Sequence, residues 1–291
     1  MEIGNRKTLL ERLSNLDRRV IFLLIALAVI IPLITHYTTS IPPSLIVQTL
    51  FDKIESMPPG AKILVSFDYG PSTAPENQPM ANALIRHALE KGHRVYLMAL
   101  WPTGARQSQE LIEDIIEKEY PNKVEGVDWI HLGYKAGNQG LINTLMSNMK
   151  AMYTTDITGR SINEFSMMDS INTLRDFDMI LALGSGFPGT KEWIQFAGDP
   201  GNIPVGGGTT AVMAPLLFPY YPKQMVGLMG GLQGAAEYES ALIDKYPQLR
   251  NRSRIASTSM GPQVTAHLVI IAFIIVGNIT FLAERRRSRK Y

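Results

Sequence analysis

Residues 62–100 read KILVSFDYGPSTAPENQPMANALIRHALEKGHRVYLMAL, and the fold turns on how this stretch is read. Lys62-Ile63-Leu64-Val65-Ser66-Phe67 is a short apolar run rich in strand formers, bounded on its far side by the turn residues Gly70, Pro71 and Ser72. Pro79 to Lys91 carries apolar residues at helical spacing and is ended by Gly92. Arg94-Val95-Tyr96-Leu97-Met98-Ala99-Leu100 is then a second buried strand. A strand, a helix and a strand in this order make a βαβ unit, whose strands run parallel because the connection crosses over the sheet.

The pattern extends in both directions. Ser44 to Ser56 carries Leu45, Ile46, Leu50, Phe51 and Ile54 at helical spacing, with Ile41-Pro42-Pro43 before it and Pro58-Pro59-Gly60 after it. Downstream come a helix over Ala105 to Glu119, a strand over Val127 to Leu132 and a helix over Gln139 to Met152. Thr154 to Asp176 is polar and reads as a surface loop with a short helix around Ile162 to Leu174. Strands are expected at Asp178 to Leu183, Ile203 to Val205 and Met225 to Met229, with helices at Lys191 to Ala197 and Gln233 to Lys245. The expected fold is α/β: a Rossmann-like, doubly wound, mostly parallel sheet.

Two apolar segments flank this domain, Val20 to Thr35 and Val264 to Ala283. A bilayer core needs about 20 apolar helical residues. Arg6, Lys7, Arg12, Arg18 and Arg19 precede the first; Arg285, Arg286, Arg287, Arg289 and Lys290 follow the second. The positive-inside rule places both tails in the cytoplasm. The expected organisation is a basic tail over 1–19, a membrane helix over 20–36, an extracytoplasmic domain over 37–263, a second membrane helix over 264–283 and a basic tail over 284–291. Location at the plasma (inner) membrane follows, with the first helix an uncleaved signal anchor. Gly277, Asn278 and Thr280 in the second segment are candidates for helix association, since small and polar side chains in lipid favour close, hydrogen-bonded helix pairs. Asn278 lies near the end of its span, where interfacial water is the other available partner.

Of 28 basic and 26 acidic residues, the tails hold 10 and 4, so the middle has 18 against 22 and a net charge of −4. An acidic middle argues against nucleic acid, which is held by neutralising phosphates. There is no cysteine, which excludes disulfides and thiolate chemistry. With no H-E-x-x-H pattern, no metal site and no cofactor are expected. The expected partners are the lipid bilayer and other membrane proteins or a second copy, with a small-molecule ligand as an option.

In doubly wound sheets ligands bind beyond the carboxyl ends of the strands, where strand order reverses. The residues placed there by this reading are Asp68, Tyr69, Ser72, Thr73, Gly133, Ser185, Gly207, Thr209, Gln233 and Glu237. Glycine in βα turns serves either close ligand approach or the turn itself. Asp68 either lines the crevice or brackets its turn through a local hydrogen bond, and Glu237 either faces the crevice or, like Glu239, complements the start of its helix. Gly184-Ser185-Gly186-Phe187-Pro188-Gly189 matches G-x-G-x-x-G, but late in the domain, with Pro188 removing an amide and no acidic residue after the next strand. G-x-S-x-G is absent. Ser185 with His131 and Asp68 is the nearest residue set to a hydrolytic relay, by residue type alone.

Val65 to Ala81, His131 to Gly137 and Gly231 to Glu239 resemble segments of an uncharacterised family of prokaryotic membrane-anchored α/β proteins, over about a fifth of the chain. The resemblance implies architecture and no chemistry, and it groups Asp68, Pro79 and Glu237 in one recurring design. Three functions are therefore carried forward: a membrane-anchored accessory or scaffold subunit, a small-molecule binding or sensing module, and a hydrolase or transferase centred on Asp68 and Ser185.

Overall fold

In a computed structural model, residues 17–35 and 41–288 are described, and the chain divides into two compact units, Met1–Thr39 with Thr258–Tyr291, and Ser40–Ser257. The tail expected over 1–19 lies almost wholly outside the described residues, as does residue 36 of the expected first span.

The larger unit is a single six-stranded sheet with helices on both faces. Its elements, with α1 (Arg18–Ile34) preceding it, are α2 (Leu45–Ser56), β1 (Lys62–Asp68), α3 (Ala74–Glu90), β2 (Arg94–Ala99), α4 (Pro102–Leu111), β3 (Trp129–Tyr134), α5 (Asn138–Leu145), α6 (Met149–Met152), β4 (Met179–Gly184), α7 (Thr190–Trp193), β5 (Val205–Thr209), α8 (Ala214–Leu217), β6 (Gly227–Gly230) and α9 (Gly231–Lys245). α4 and α7 each run on into a wider π turn, Ile112–Ile116 and Ile194–Gly198. The strand order is β3-β2-β1-β4-β5-β6 and every pairing is parallel. Both faces are covered, which is why the strands read as unbroken apolar runs. On one side Leu64, Tyr96, Met98 and Ile180 pack with Leu141, Ile142, Met167, Trp193 and Ile194. On the other, α9 packs against α2 and α3.

Three details depart from expectation. The strand expected at Ile203 to Val205 is β5, Val205–Thr209, so Gly206, Gly207 and Gly208 are the strand rather than a loop after it. A Cβ on Gly206 would stand 2.6 Å from Leu50, one on Gly208 2.3 Å from Met80, and one on Gly207 (φ +149) 2.0 Å from the Ala182 carbonyl. The helices on that face lie directly on the strand backbone, and a side chain would push them off. The region expected to hold one short helix around Ile162 to Leu174 forms three 3₁₀ turns, Ile162–Glu164, Ser166–Met168 and Leu174–Asp176; Met167, Met168 and Leu174 within them and Ile171 between them are fully buried. The helix expected over Gln139 to Met152 is two, α5 and α6, with Asn148 capping the second through Ala151 N–H.

The smaller unit holds α1 and most of α10 (Ile255–Ser288). Within α10, Ile255–Ala283 is the one helix among the described residues long and apolar enough to cross a membrane, and only 6% of its apolar window is buried. Such exposure of Leu268, Ile274, Ile275 and Phe281 is unlike the core helix of a soluble domain. The span expected at 264–283 therefore sits inside a longer helix. For α1 the expected span is not met: at 17 residues it is about 25 Å long against a hydrocarbon core of about 30 Å. Thr265 Oγ1, in α10, donates to the Ala28 carbonyl of α1 at 2.5 Å.

Candidate functional site at the strand-end rim

Strand order reverses between β1 and β4, so the crevice expected from topology lies where Asp68 and Gly184 end these strands side by side. Thr73, just before α3, donates through Oγ1 to Ser185 Oγ at 2.9 Å across the reversal, and Ser185 N–H donates to the Asp68 carbonyl at 3.2 Å. Both side chains are half-buried and Ser72 is exposed. This hydroxyl pair is the half-buried polar contact that bridges the reversal.

Asp68 itself does not face the crevice. It is fully buried, and its carboxylate accepts from Leu100 N–H (2.8 Å), Trp193 Nε1–H (2.8 Å) and Ser66 Oγ–H (2.9 Å). One side chain thus ties the end of β1 to the turn after β2 and to the π-turned helix after β4. Burial pushes its pKa up to about 7, against the pull of these donors, with Glu192 adding to the rise. Asp68 closes the floor beneath the rim.

Tyr69 and Thr209 also point inward, whereas Gln233 is exposed. Tyr69 is fully buried and donates to Gln78 Oε1 at 2.6 Å. Thr209 Oγ1 donates to the Gly184 carbonyl at 2.6 Å, pinning β5 to β4. Gly133, at φ +76, lets β3 turn beside Ile157, and Gly207 serves strand packing. The G-x-G-x-x-G segment uses its own amides: Ser185 N–H is held by Asp68, and Gly189 N–H donates to Glu192 Oε2 at 2.8 Å. A Cβ on Gly184 would meet Thr190 N at 2.8 Å and one on Gly189 the Gly186 carbonyl at 2.5 Å, so these glycines serve a tight turn.

Ser185, His131 and Asp68 have separate partners and form no relay. His131 Nε2 meets Ser108 Oγ at 2.8 Å, its Nδ1 is buried without a hydrogen-bond partner, and burial lowers its pKa to about 4. Among the described residues no cluster of three His, Asp or Glu side chains suits a metal ion.

Glu237 and Glu239 explain the Gly231 to Glu239 segment. Residues two apart on a helix point about 200° apart, so the two carboxylates leave α9 in different directions. Glu237, held in place by Gln233 Nε2 at 2.9 Å, accepts from Ser44 N–H (2.9 Å) and Ser44 Oγ–H (2.6 Å) at the start of α2. Glu239 accepts from Ala256 N–H (3.2 Å), Ser257 N–H (2.8 Å) and Ser257 Oγ–H (2.6 Å) at the start of α10. Ser240 Oγ accepts from Ile41 N–H at 3.3 Å. One helix therefore grips the chain both where it enters the domain and where it leaves. Burial pushes the Glu239 pKa up, opposed by the Ser257 and Ala256 donors. Arg86 of α3 reinforces the exit: it donates to the Ser253 carbonyl at 3.0 Å while paired with Glu119 at 2.6 Å.

Sequence reasoning passed over Glu76 and Trp193. Glu76, in the first turn of α3, accepts from Ala211 N–H at 2.8 Å and so links the rim loops after β1 and β5. An acidic residue in a first helical turn is its only local signal; Trp193 carries none.

No family model, no curated protein and no solved structure matches this chain.

Proposed function

We propose that this protein is a membrane-anchored accessory or scaffold subunit whose α/β domain works by being held at a membrane and assembled there. The observation that carries this reading is the use made of its conspicuous carboxylates. Asp68 locks three rim segments together, while Glu237 and Glu239 fasten the domain to the segments that lead towards α1 and α10. None of the three is left to act on a substrate. In this reading α10 spans the bilayer, Thr265 of α10 meets the Ala28 carbonyl of α1, and the basic cluster after α10 lies on the cytoplasmic side. Asn278 is exposed, and nothing lies within 4 Å of a Cβ added at Gly277, so both remain open to a partner helix; Thr280 is buried and donates to the Val276 and Gly277 carbonyls of its own helix. Extraction in mild detergent followed by mass measurement tests the proposal. A stable complex is expected; a solitary monomer refutes it.

A second reading is favoured by one feature. The strand order 3-2-1-4-5-6 is that of Rossmann-like, doubly wound folds, and the half-buried Thr73–Ser185 pair stands at its reversal point. A polar small molecule at this pair would make the domain a sensor. Thermal stabilisation of the full chain by such a ligand, lost in Ser185→Ala, is its test.

A further inference from the structure

The rim carries an apolar surface that neither the fold nor the proposed anchoring accounts for. From Pro200 to Pro222 the sequence holds no charged residue. Val212 is 85% exposed, and Leu216 and Phe218 follow it with half or more of their surface in solvent. Phe187, equally open, leaves the end of β4, and β4 and β5 end side by side at Gly184 and Thr209. α2 meets the end of this stretch: Thr49 donates to Tyr221 Oη at 3.4 Å, and Leu45, one helical turn before Thr49, is 73% exposed. Isolated exposed apolar side chains are ordinary, but several within one uncharged stretch mark a contact surface.

We infer that this patch rests on the lipid head-group layer of the bilayer that holds α10. The inference builds on the anchoring proposed above, and chain length supplies the argument. Leu45 stands next to Ser44, which Glu237 fixes, and only seven residue steps separate Ile41 from the end of α1 at Ile34, a reach of at most about 25 Å. At the other end Glu239 holds Ser257, in the first turn of the apolar helix α10. The chain between Ile34 and Ile41 is short, and Leu45 follows it by four residues. The composition suits the interface: Leu, Val and Phe to enter it, Tyr220 and Tyr221 to lie at head-group level, and Lys223 beside them to meet anionic lipid.

The absence of cysteine makes the test direct. Single variants Val212→Cys, Phe218→Cys and Leu45→Cys of the full chain carry a nitroxide in vesicles of phosphatidylcholine and phosphatidylglycerol, with exposed Val124→Cys as the reference. Oxygen and a water-soluble nickel complex then report depth by power saturation. Labels at 45, 212 and 218 are expected to lie about 5–10 Å within the head-group and acyl boundary, while 124 remains in water. Labels as wet as that at 124 overturn the inference. Broadening between labels on two molecules also overturns it, in favour of a second copy as the occupant. Release of the chain by alkaline carbonate sinks the anchoring itself and this contact with it, whereas a retained chain with wet labels sinks the contact alone.

Discussion

Asp68→Asn is the substitution that separates a structural carboxylate from a catalytic one. The native side chain receives Leu100 N–H on one oxygen and Trp193 Nε1–H on the other. Asparagine keeps one of these acceptors and turns an NH₂ group towards the other donor. One buried donor then faces a donor, at a cost of about 1–3 kcal/mol; Asp68→Ala orphans both and costs about 4 kcal/mol. The loss also depends on pH. Between the unfolded value of 3.8 and the folded value of about 7, the folded chain keeps a proton that the unfolded chain has released. This group's contribution is therefore fully present below pH 3.8 and is lost as pH rises towards 7, by about 4 kcal/mol in total. The advantage of the native protein over Asp68→Asn should shrink steadily as pH climbs from 4 to 7. Urea unfolding of the full chain in detergent, followed by tryptophan fluorescence, measures it, and Trp193 reports from the site. A gap that widens with pH would show the ionised form to be the one that holds the fold. A variant as stable as the native chain at every pH would refute the clamp altogether.

Glu239→Ala removes the acceptor for three donors at the start of α10 and should cost about 3 kcal/mol. Hydrogen exchange should accelerate over residues 253–260 before it does in the sheet, and unchanged exchange there would contradict the grip assigned to α9. His87 and His131 are both buried, and burial lowers each pKa to about 4, opposed at His87 by its hydrogen bond with Glu55. The unfolded chain binds these protons first, so stability should fall as pH drops from 6.5 to 4, by about 3 kcal/mol for each group; His87→Gln should flatten that slope in a urea-midpoint series. Gly207→Ala drives a Cβ to 2.0 Å from the Ala182 carbonyl and should abolish folding, whereas Gly60→Ala, with open space at φ +84, should cost only about 1 kcal/mol. Circular dichroism of the two purified variants distinguishes these outcomes.

Much of the architecture was legible because it rests on local pattern. Parallel strands buried on both faces must be apolar runs, and the helices between them must carry a periodic stripe, so residues 62–100 announce themselves. β5 is hidden in the sequence because its signal is inverted. Gly206, Gly207 and Gly208 resemble a loop by propensity, and they form a strand because α2 and α3 need bare backbone to lie against. The buried 3₁₀ region between α6 and β4 reads as surface for the opposite reason: its apolar residues are spaced without period, yet Ile162, Phe165, Met167, Met168, Ile171 and Leu174 meet one core.

The candidate site was legible as a place and illegible as a set of partners. Sequence alone marked Asp68, Ser185 and Glu237 as polar groups near strand ends, because strand and helix order fix where the rim must be. Which donor each would meet depends on residues 32, 112 and 193 positions away in the chain. Hydrogen-bond pairing over such separations is set by how the sheet orders its strands, and no local pattern records it. So sequence determined that an apolar helix follows a parallel α/β domain, since hydrophobic periodicity and length suffice for both. Only the tertiary structure decided that the carboxylates at the rim face inward and hold the domain together, because burial and partnership are properties of the packed chain.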